Sequence, residues 1–343
     1  MMTDLRSDTV TRPTPAMLQA MMSAELGDDV FGDDPTVNAL QEKTARLFGM
    51  EAGLFFPTGT MSNQVAIKTH TQPGDEVVVE ASSHTYLLES GGMAFHSGCS
   101  IRPVAGNRGR LSPELIRAQV NPRNDHFPVT RLVVIENTCN RGGGSYYTLE
   151  QMQAVSEAAR AEGLRMHLDG ARIFNALVEL NVPPAALGPL FDSISICLSK
   201  GLGCPAGTVL TGSAEFIKKA KRYRKLFGGT MRQSGVLAAA GLYALDHHVQ
   251  RLKEDHERAR RIGEALSRQR WVRQVWPVET NIILFDLTQE LPAAVLVNYL
   301  ASQNILCVAT GRHQIRMVTH LDITDDMVAH VVATLHAFEP VAA

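Results

Sequence analysis

The sequence predicts an α/β fold on a mostly parallel sheet, with a large unit followed by a smaller one. Three observations carry this. Short, largely apolar runs at 76–80, 131–136, 164–168 and 194–198 read as strands buried on both faces. Helical patterns recur between such strands at the period of βαβ units. The 343-residue length exceeds what one core usually serves, and the pattern changes after a long charged helix at 248–269. The reading divides the chain into an arm and helix (1–25), a large unit (26–247) and a small α/β unit (248–343).

Composition narrows the function classes. Apolar residues make up 45% and charged residues 20%, as in ordinary folded proteins. The formal charge of −2 implies no basic face for nucleic acid. The five cysteines are odd in number and form no CxxC pair, which suits reduced thiols in a cytoplasmic protein and argues against a zinc site. The charged start MMTDLRSDTV is no signal peptide, and no apolar run reaches the ~20 residues of a membrane span.

Residues 1–15 read as an extended arm rich in Asp4, Arg6, Ser7, Asp8 and Arg12, with Pro13 and Pro15 discouraging a helix. Its polar groups are either solvated or ligand contacts. A short helix follows at 17–23, then the acidic turns GDDVFGDDP, which lack the spacing of a calcium loop, so no metal is expected. Pro35 opens an amphipathic helix. After a strand at 54–56, Thr58, Gly59 and Thr60 lead into a helix at 64–69. That turn is either a plain helix cap or an anion site where N–H groups and the helix dipole meet a phosphate. The strand at 76–80 runs into Ser82-Ser83-His84, and His84 is either a capped loop histidine or a site residue. A helix at 111–120, a polar loop containing His126, the strand at 131–136, a glycine loop at 142–144 and a helix at 150–162 come next. A strand at 209–212, a basic helix at 215–226 with six cationic residues on a solvated face, and an Ala/Gly-rich helix at 236–246 complete the large unit. In the small unit, strands at 281–286 and 314–318 alternate with helices at 293–303 and 325–338. Arg316, inside the second of these strands, is either a structural ion pair or a fork for a carboxylate.

Two residues anchor the functional reading. Lys200 closes the strand at 194–198, and Asp169 closes the preceding strand, one βαβ unit away. A lysine at such a tip either snorkels or loses water and becomes a nucleophilic amine. The two either form a direct ion pair or hold a cationic heterocycle between them, with its nitrogen on the acid and its aldehyde carbon on the lysine. The second arrangement is the chemistry of pyridoxal phosphate. The GxGxxA pattern after Lys200 lacks a following acid and is interrupted by Pro205, so it is not read as a dinucleotide loop.

The runs DLRSDTVTRPT, GDDVFGDDPTVN, PTGTMSNQ, HLDGARIFNA, SICLSKGLG, GGTMRQSG and RMVTHLD resemble the low-specificity L-threonine aldolases, in the same order over nearly the whole chain. The resemblance implies pyridoxal-phosphate fold type I, a mostly parallel seven-stranded sheet flanked by helices. It implies that Lys200 carries the cofactor as a Schiff base and that Asp169 meets the pyridine nitrogen. Thr58, Gly59 and Thr60 correspond to the phosphate cradle, and Arg232 lies near the phosphate, from the same or a neighbouring subunit. His84 stacks on the ring, and Arg172 lies by the ring oxygen and the substrate carboxylate. Ser7 and Arg316 bind that carboxylate, and His126 is a second active-site histidine. The chain departs from the pattern at Cys139, where the family commonly has histidine.

The implied reaction is retro-aldol cleavage of a β-hydroxy-α-amino acid, such as L-threonine or L-allo-threonine, to glycine and an aldehyde. His84 or His126 serves as base. A β-eliminating lyase or aminotransferase of the same fold is the alternative. A cytoplasmic homo-oligomer, a dimer or a dimer of dimers, is expected by analogy with the fold.

Overall fold

In the computed structural model, which describes residues 2–340, the chain opens on a two-residue strand, β1 (Thr3–Asp4). Seven strands of one sheet follow: β2 (Ala52–Phe56), β3 (Glu76–Glu80), β4 (Ser100–Val104), β5 (Thr130–Glu136), β6 (Arg165–Gly170), β7 (Ser193–Cys197) and β8 (Thr208–Gly212). Their order is β2-β8-β7-β6-β5-β3-β4. Only β8 runs against the rest, antiparallel to β2 and β7. Strands β3, β7 and β8 are buried at every position, as their apolar runs require. The expected helix at 64–69 is longer, Gly59–His70, because Thr58 accepts the Met61 N–H and starts it sooner. Strand β4 was not foreseen: it is the sheet edge, half-exposed, with Pro103 in it, so it lacks the apolar signature of a central strand.

The remaining strands are β9 (Val272–Val275), β10 (Ile282–Leu287), β11 (Ile305–Leu306), β12 (Val308–Gly311) and β13 (Gln314–Val318). Four of them form an antiparallel sheet in the order β12-β13-β10-β9, and β11 pairs in parallel with β1. This sheet and the helices Leu252–Ser267, Ala293–Ser302 and Asp325–Ala337 enclose an apolar core that includes Leu5 of the arm. The arm is therefore stitched down rather than loose. His320 donates from Nε2 to the Asp4 carbonyl, and the Arg12 N–H donates to Asp322. Pro15, expected to disfavour a helix, begins the helix Pro15–Met22, since the first helical position needs no N–H. The Ala/Gly-rich helix Gly235–His247 packs on that helix and on Pro35–Leu47.

The basic helix Ala214–Leu226 is not wholly a solvated face. Arg224 is fully buried in ionic contact with Asp29, 2.7 Å away, and its Nη1 donates to the Phe55 carbonyl at 2.6 Å. The acidic turns thus serve structure: Asp29 neutralises Arg224, while Asp34 caps the helix Pro35–Leu47 and also accepts the Gly235 N–H. Arg224 in turn fixes the end of β2, from which the Thr58 turn springs. Replacing Arg224 with Ala leaves Asp29 buried and unpaired. The expected cost is about 3–5 kcal/mol, read as a lower midpoint in denaturant at unchanged slope.

Candidate active site

The carboxyl edge of the parallel strands collects the chemistry. Strands β5, β6 and β7 are in register there, with Glu136 beside Asp169 and Asp169 beside Ser195. Asp169 is 2% exposed. Its Oδ1 accepts the Ala171 N–H at 3.2 Å, while Oδ2 is buried with no hydrogen-bond partner. An orphaned carboxylate oxygen is costly unless a donor or cation faces it. Lys200 lies just past β7 in a turn closed by the Gly203 N–H onto its carbonyl. Residues Arg172, Cys197 and Lys200 line one small cavity. The Lys200 ammonium bears on Asp8, His84 and Cys197 alike.

His84 begins the short helix His84–Leu87 after β3. Its backbone N–H donates to Glu136 at 2.8 Å, and its Nδ1 meets Glu89 Oε1 at 3.0 Å. The hydrogen bond to Glu89 raises the His84 pKa, burial opposes this, and Asp169 adds to it. Glu136 is pushed up to about 7, first by burial and then by the neighbouring Asp169 charge. One nitrogen of His84 and one oxygen each of Glu89 and Asp169 lie within 4.8 Å of one another. Since the imidazole already hydrogen-bonds Glu89, the group that remains unmatched is Asp169 Oδ2, which suits a protonated ring nitrogen.

The turn after β2 supplies an anion cradle. Thr58 uses its side chain on Met61, leaving Gly59 and Thr60 at the helix start, where N–H groups face outward. A Cβ on Gly59 would lie 3.6 Å from Thr208 Oγ1 and 4.0 Å from Cys197 Sγ. Thr208 Oγ1 is itself buried without a partner. Glycine, a helix N-terminus and an unsatisfied hydroxyl in contact fit a phosphate. The donor set therefore suits pyridoxal phosphate at both of its ends.

The cationic groups are arranged differently from expectation. Arg172 gives Nε and Nη2 to Asp8 at 2.7 and 2.6 Å, so it is no free fork. Asp8 is fully buried and also accepts from Asn281. Burial alone would raise the Asp8 pKa, but the Arg172 guanidinium outweighs it and holds it at about 2. Arg316 donates to Asn140 Oδ1 and to the Arg6 carbonyl, and its Nε is buried and unpaired. Burial and then the nearby Arg172 charge lower the Arg316 pKa. Two guanidinium groups and one carboxylate leave this corner one charge positive. Ser7 sits beside it as the cap of the turn Asp8–Val10.

Two expected site residues are not gathered here. His126 lies exposed in the loop 121–129, before β5 rather than after it. The seven residues of Thr130–Glu136, at ~3.3 Å each, separate that end of the strand from Glu136 and Asp169. Within the chain His126 is therefore at the wrong edge to act as base. Arg232 is largely exposed and pairs with Asp28 at 3.0 Å. Asp8, Glu89, Asn140 and Thr208 were not singled out by sequence. Asp8 is in the arm motif, the one signal that pointed towards it. Cys139 is a packing residue: its thiol donates to the Glu136 and Gly109 carbonyls, and a Cβ on Gly109 would come within 2.6 Å of its own. Burial pushes that thiol's pKa well up. A cleft of about 600 Å³ opens at the opposite edge of the sheet beside His70, Arg165 and Lys219.

Comparison with known proteins points to the same cofactor chemistry. The family described as beta-eliminating lyase matches residues 4–290. A low-specificity L-threonine aldolase of Escherichia coli O157:H7 is 45% identical over 98% of this chain and 99% of its own length. Low-specificity L-threonine aldolase 1 of Arabidopsis thaliana is 42% identical over 98% and 95%. The chain belongs to the low-specificity L-threonine aldolases. Members of this family are pyridoxal-phosphate-dependent lyases. Among solved structures, a Leishmania major threonine aldolase superposes with a TM-score of 0.84 at 20% identity, covering 97% of this chain and 98% of that one, and so shares its fold. The aldolase sheet is thus the fold type I sheet that the sequence predicted, and no helix among the described residues is long and apolar enough to cross a membrane.

Proposed function

We propose that the chain cleaves L-threonine, L-allo-threonine and related β-hydroxy-α-amino acids to glycine and an aldehyde, using pyridoxal 5'-phosphate. The observation that carries this is the buried, unpaired Oδ2 of Asp169 on the strand next to the one that presents Lys200. When bound, the cofactor supplies an electron sink for the pair released as the Cα–Cβ bond breaks. Asp169 keeps the ring nitrogen protonated by stabilising its positive charge. Gly59, Thr60 and Thr208 would hold the phosphate, and Lys200 would hold the aldehyde end. The net positive corner at Arg316, with Arg172 and Asp8 behind it and Ser7 beside it, takes the substrate carboxylate. Fixing that carboxylate would orient the Cα–Cβ bond for cleavage. His84 takes the β-hydroxyl proton.

The family match to beta-eliminating lyases favours one second reading, loss of a β-substituent with release of keto acid and ammonia. One assay separates them. Incubation with L-threonine is expected to give glycine and acetaldehyde in equal amounts; 2-oxobutyrate and ammonia with no glycine would replace the aldolase by the lyase reading.

A cytoplasmic homotetramer, a dimer of dimers, is part of the same proposal. The five buried free cysteines support a reducing compartment. Met22, Phe31 and Phe95, each at least 80% exposed, are apolar surface of the kind that a second copy covers. Sedimentation equilibrium tests this, and a monomer across micromolar concentrations would remove it.

A further inference from the structure

A file of buried hydrogen bonds runs from the active-site imidazole to the far edge of the sheet. Glu89, 3% exposed, accepts from His84 Nδ1 and from Asn63 Nδ2, both at 3.0 Å, and from Gln64 Nε2. Asn63 Oδ1 lies 3.2 Å from His167 Nε2. His167 Nδ1 lies 2.8 Å from Ser193 Oγ, which lies 2.8 Å from His70 Nε2. His70 then borders the cleft of about 600 Å³, with its ring stacked on Phe216. Asn63 and His70 are seven residues apart on the helix Gly59–His70, so they share a face, and β6 and β7 supply the residues between them.

The chemistry of each group admits one direction for this file. A carboxylate only accepts, so Asn63 must turn its amide NH₂ to Glu89 and its carbonyl oxygen to His167. His167 must then carry its proton on Nε2, and its Nδ1 accepts from the Ser193 hydroxyl. Ser193 in turn accepts from His70 Nε2–H. Burial holds both distal imidazoles neutral, at about 3, so each has one donor and one acceptor as this order demands. Every hydrogen in the file points towards Glu89.

We propose that Glu89, held by the file Asn63–His167–Ser193–His70, is a positioning residue that fixes His84 with its proton on Nδ1 and leaves Nε2 as the atom that exchanges a proton with substrate. The inference rests on the reading of His84 as the proton carrier. The charged groups facing His84 are Glu89, Asp169, Glu136, which takes its backbone N–H, and Lys200. Of these, Glu89 alone hydrogen-bonds the ring.

The test uses the full-length holoenzyme and three variants. In Glu89→Leu no acceptor is left at Nδ1, so the ring is no longer fixed with its proton there. By the logic of wrong-tautomer variants, kcat is expected to fall about 10²–10⁴-fold with KM within about threefold. Loss of the carboxylate also destabilises the imidazolium. The acid limb of kcat/KM should therefore move to lower pH, by about one to two units. Ser193→Ala breaks the file three residues from Glu89 at nearly constant volume, and should shift the limb the same way by less. In ¹⁵N-histidine spectra of the full chain, the His84 Nδ1–H signal of the wild type should be lost or shifted in both variants. His84→Phe is the control. If it keeps full activity and an unaltered pH profile, the reading of His84 as proton carrier fails. If it loses activity while either of the other variants keeps the wild-type acid limb and the His84 signal, the positioning role of the file is overturned. A lower melting temperature alone, with the limb unmoved, is the mark of a purely structural network and overturns it equally.

Discussion

Lys200→Ala is expected to remove at least about 10³-fold of the threonine-cleaving rate, together with the visible absorbance of cofactor held as a Schiff base. The size of the effect follows from position. Lys200 is presented by the turn after β7, beside the strand whose tip holds Asp169. The Asp8, Cys197 and His84 side chains all feel its charge. No other lysine flanks this cavity; among its lining residues the cations are Arg172 and Lys200. Arginine is charged at all working pH values and cannot supply a nucleophilic nitrogen. No neighbour therefore substitutes for the lost amine. Folding should survive, because the lysine is half-buried and packs no core. An unchanged thermal midpoint with the rate lost is the expected pair of results. Retained turnover in a well-folded variant would sink the assignment of Lys200 as the attachment point.

What could be read from sequence follows a physical line. Lys200 and Asp169 were legible because each interrupts or ends an apolar run, where an ionisable group is costly and calls for a reason. The cradle at Gly59 was legible as an alternative to a plain cap: Thr58 caps the helix, and Gly59 stays beside an unsatisfied Thr208 hydroxyl. His126 could not be placed from sequence, because a motif gives order along the chain and not which end of a strand a loop joins. Arg224 hid within a run of six cations, five of which do face outward or lie half-buried. Glu89 and Asp8 were missed for a shared reason. Each is an acid in a polar stretch that looks solvated, and each is buried only because a distant cation, amide or imidazole comes to meet it. Such long-range pairing has no local periodicity, so hydrophobic patterning is blind to it.

Asp8→Ala tests that kind of pairing most severely. Asp8 is fully buried, and Arg172, also buried, commits two of its nitrogen atoms to it. Removing the acid leaves a desolvated guanidinium with no counter-charge, at an expected cost of about 3–5 kcal/mol. The same deletion raises the net charge of the Arg172–Arg316 corner from one positive to two. Substrate carboxylate binding should then become tighter or geometrically altered while kcat falls, because Arg172 is freed to compete with Arg316 for it. The pH dependence has a definite sign. The folded Asp8 pKa, about 2, lies below the ordinary carboxylate value, which is ~3.9 unfolded. Its contribution is therefore fully present above the unfolded value and is lost as pH falls towards the folded one. Wild type and Asp8→Ala should differ most at neutral pH and converge only below about pH 2, the folded Asp8 value. A double variant, Asp8→Ala with Arg172→Met, removes both charges at once. It should cost less than the sum of the single changes, because no unpaired charge remains. Strict additivity of the two changes would mean that the pair is not coupled, and the arm would then be held by its other contacts, among them Leu5, the β1–β11 pairing and the hydrogen bonds at Asp4 and Arg12.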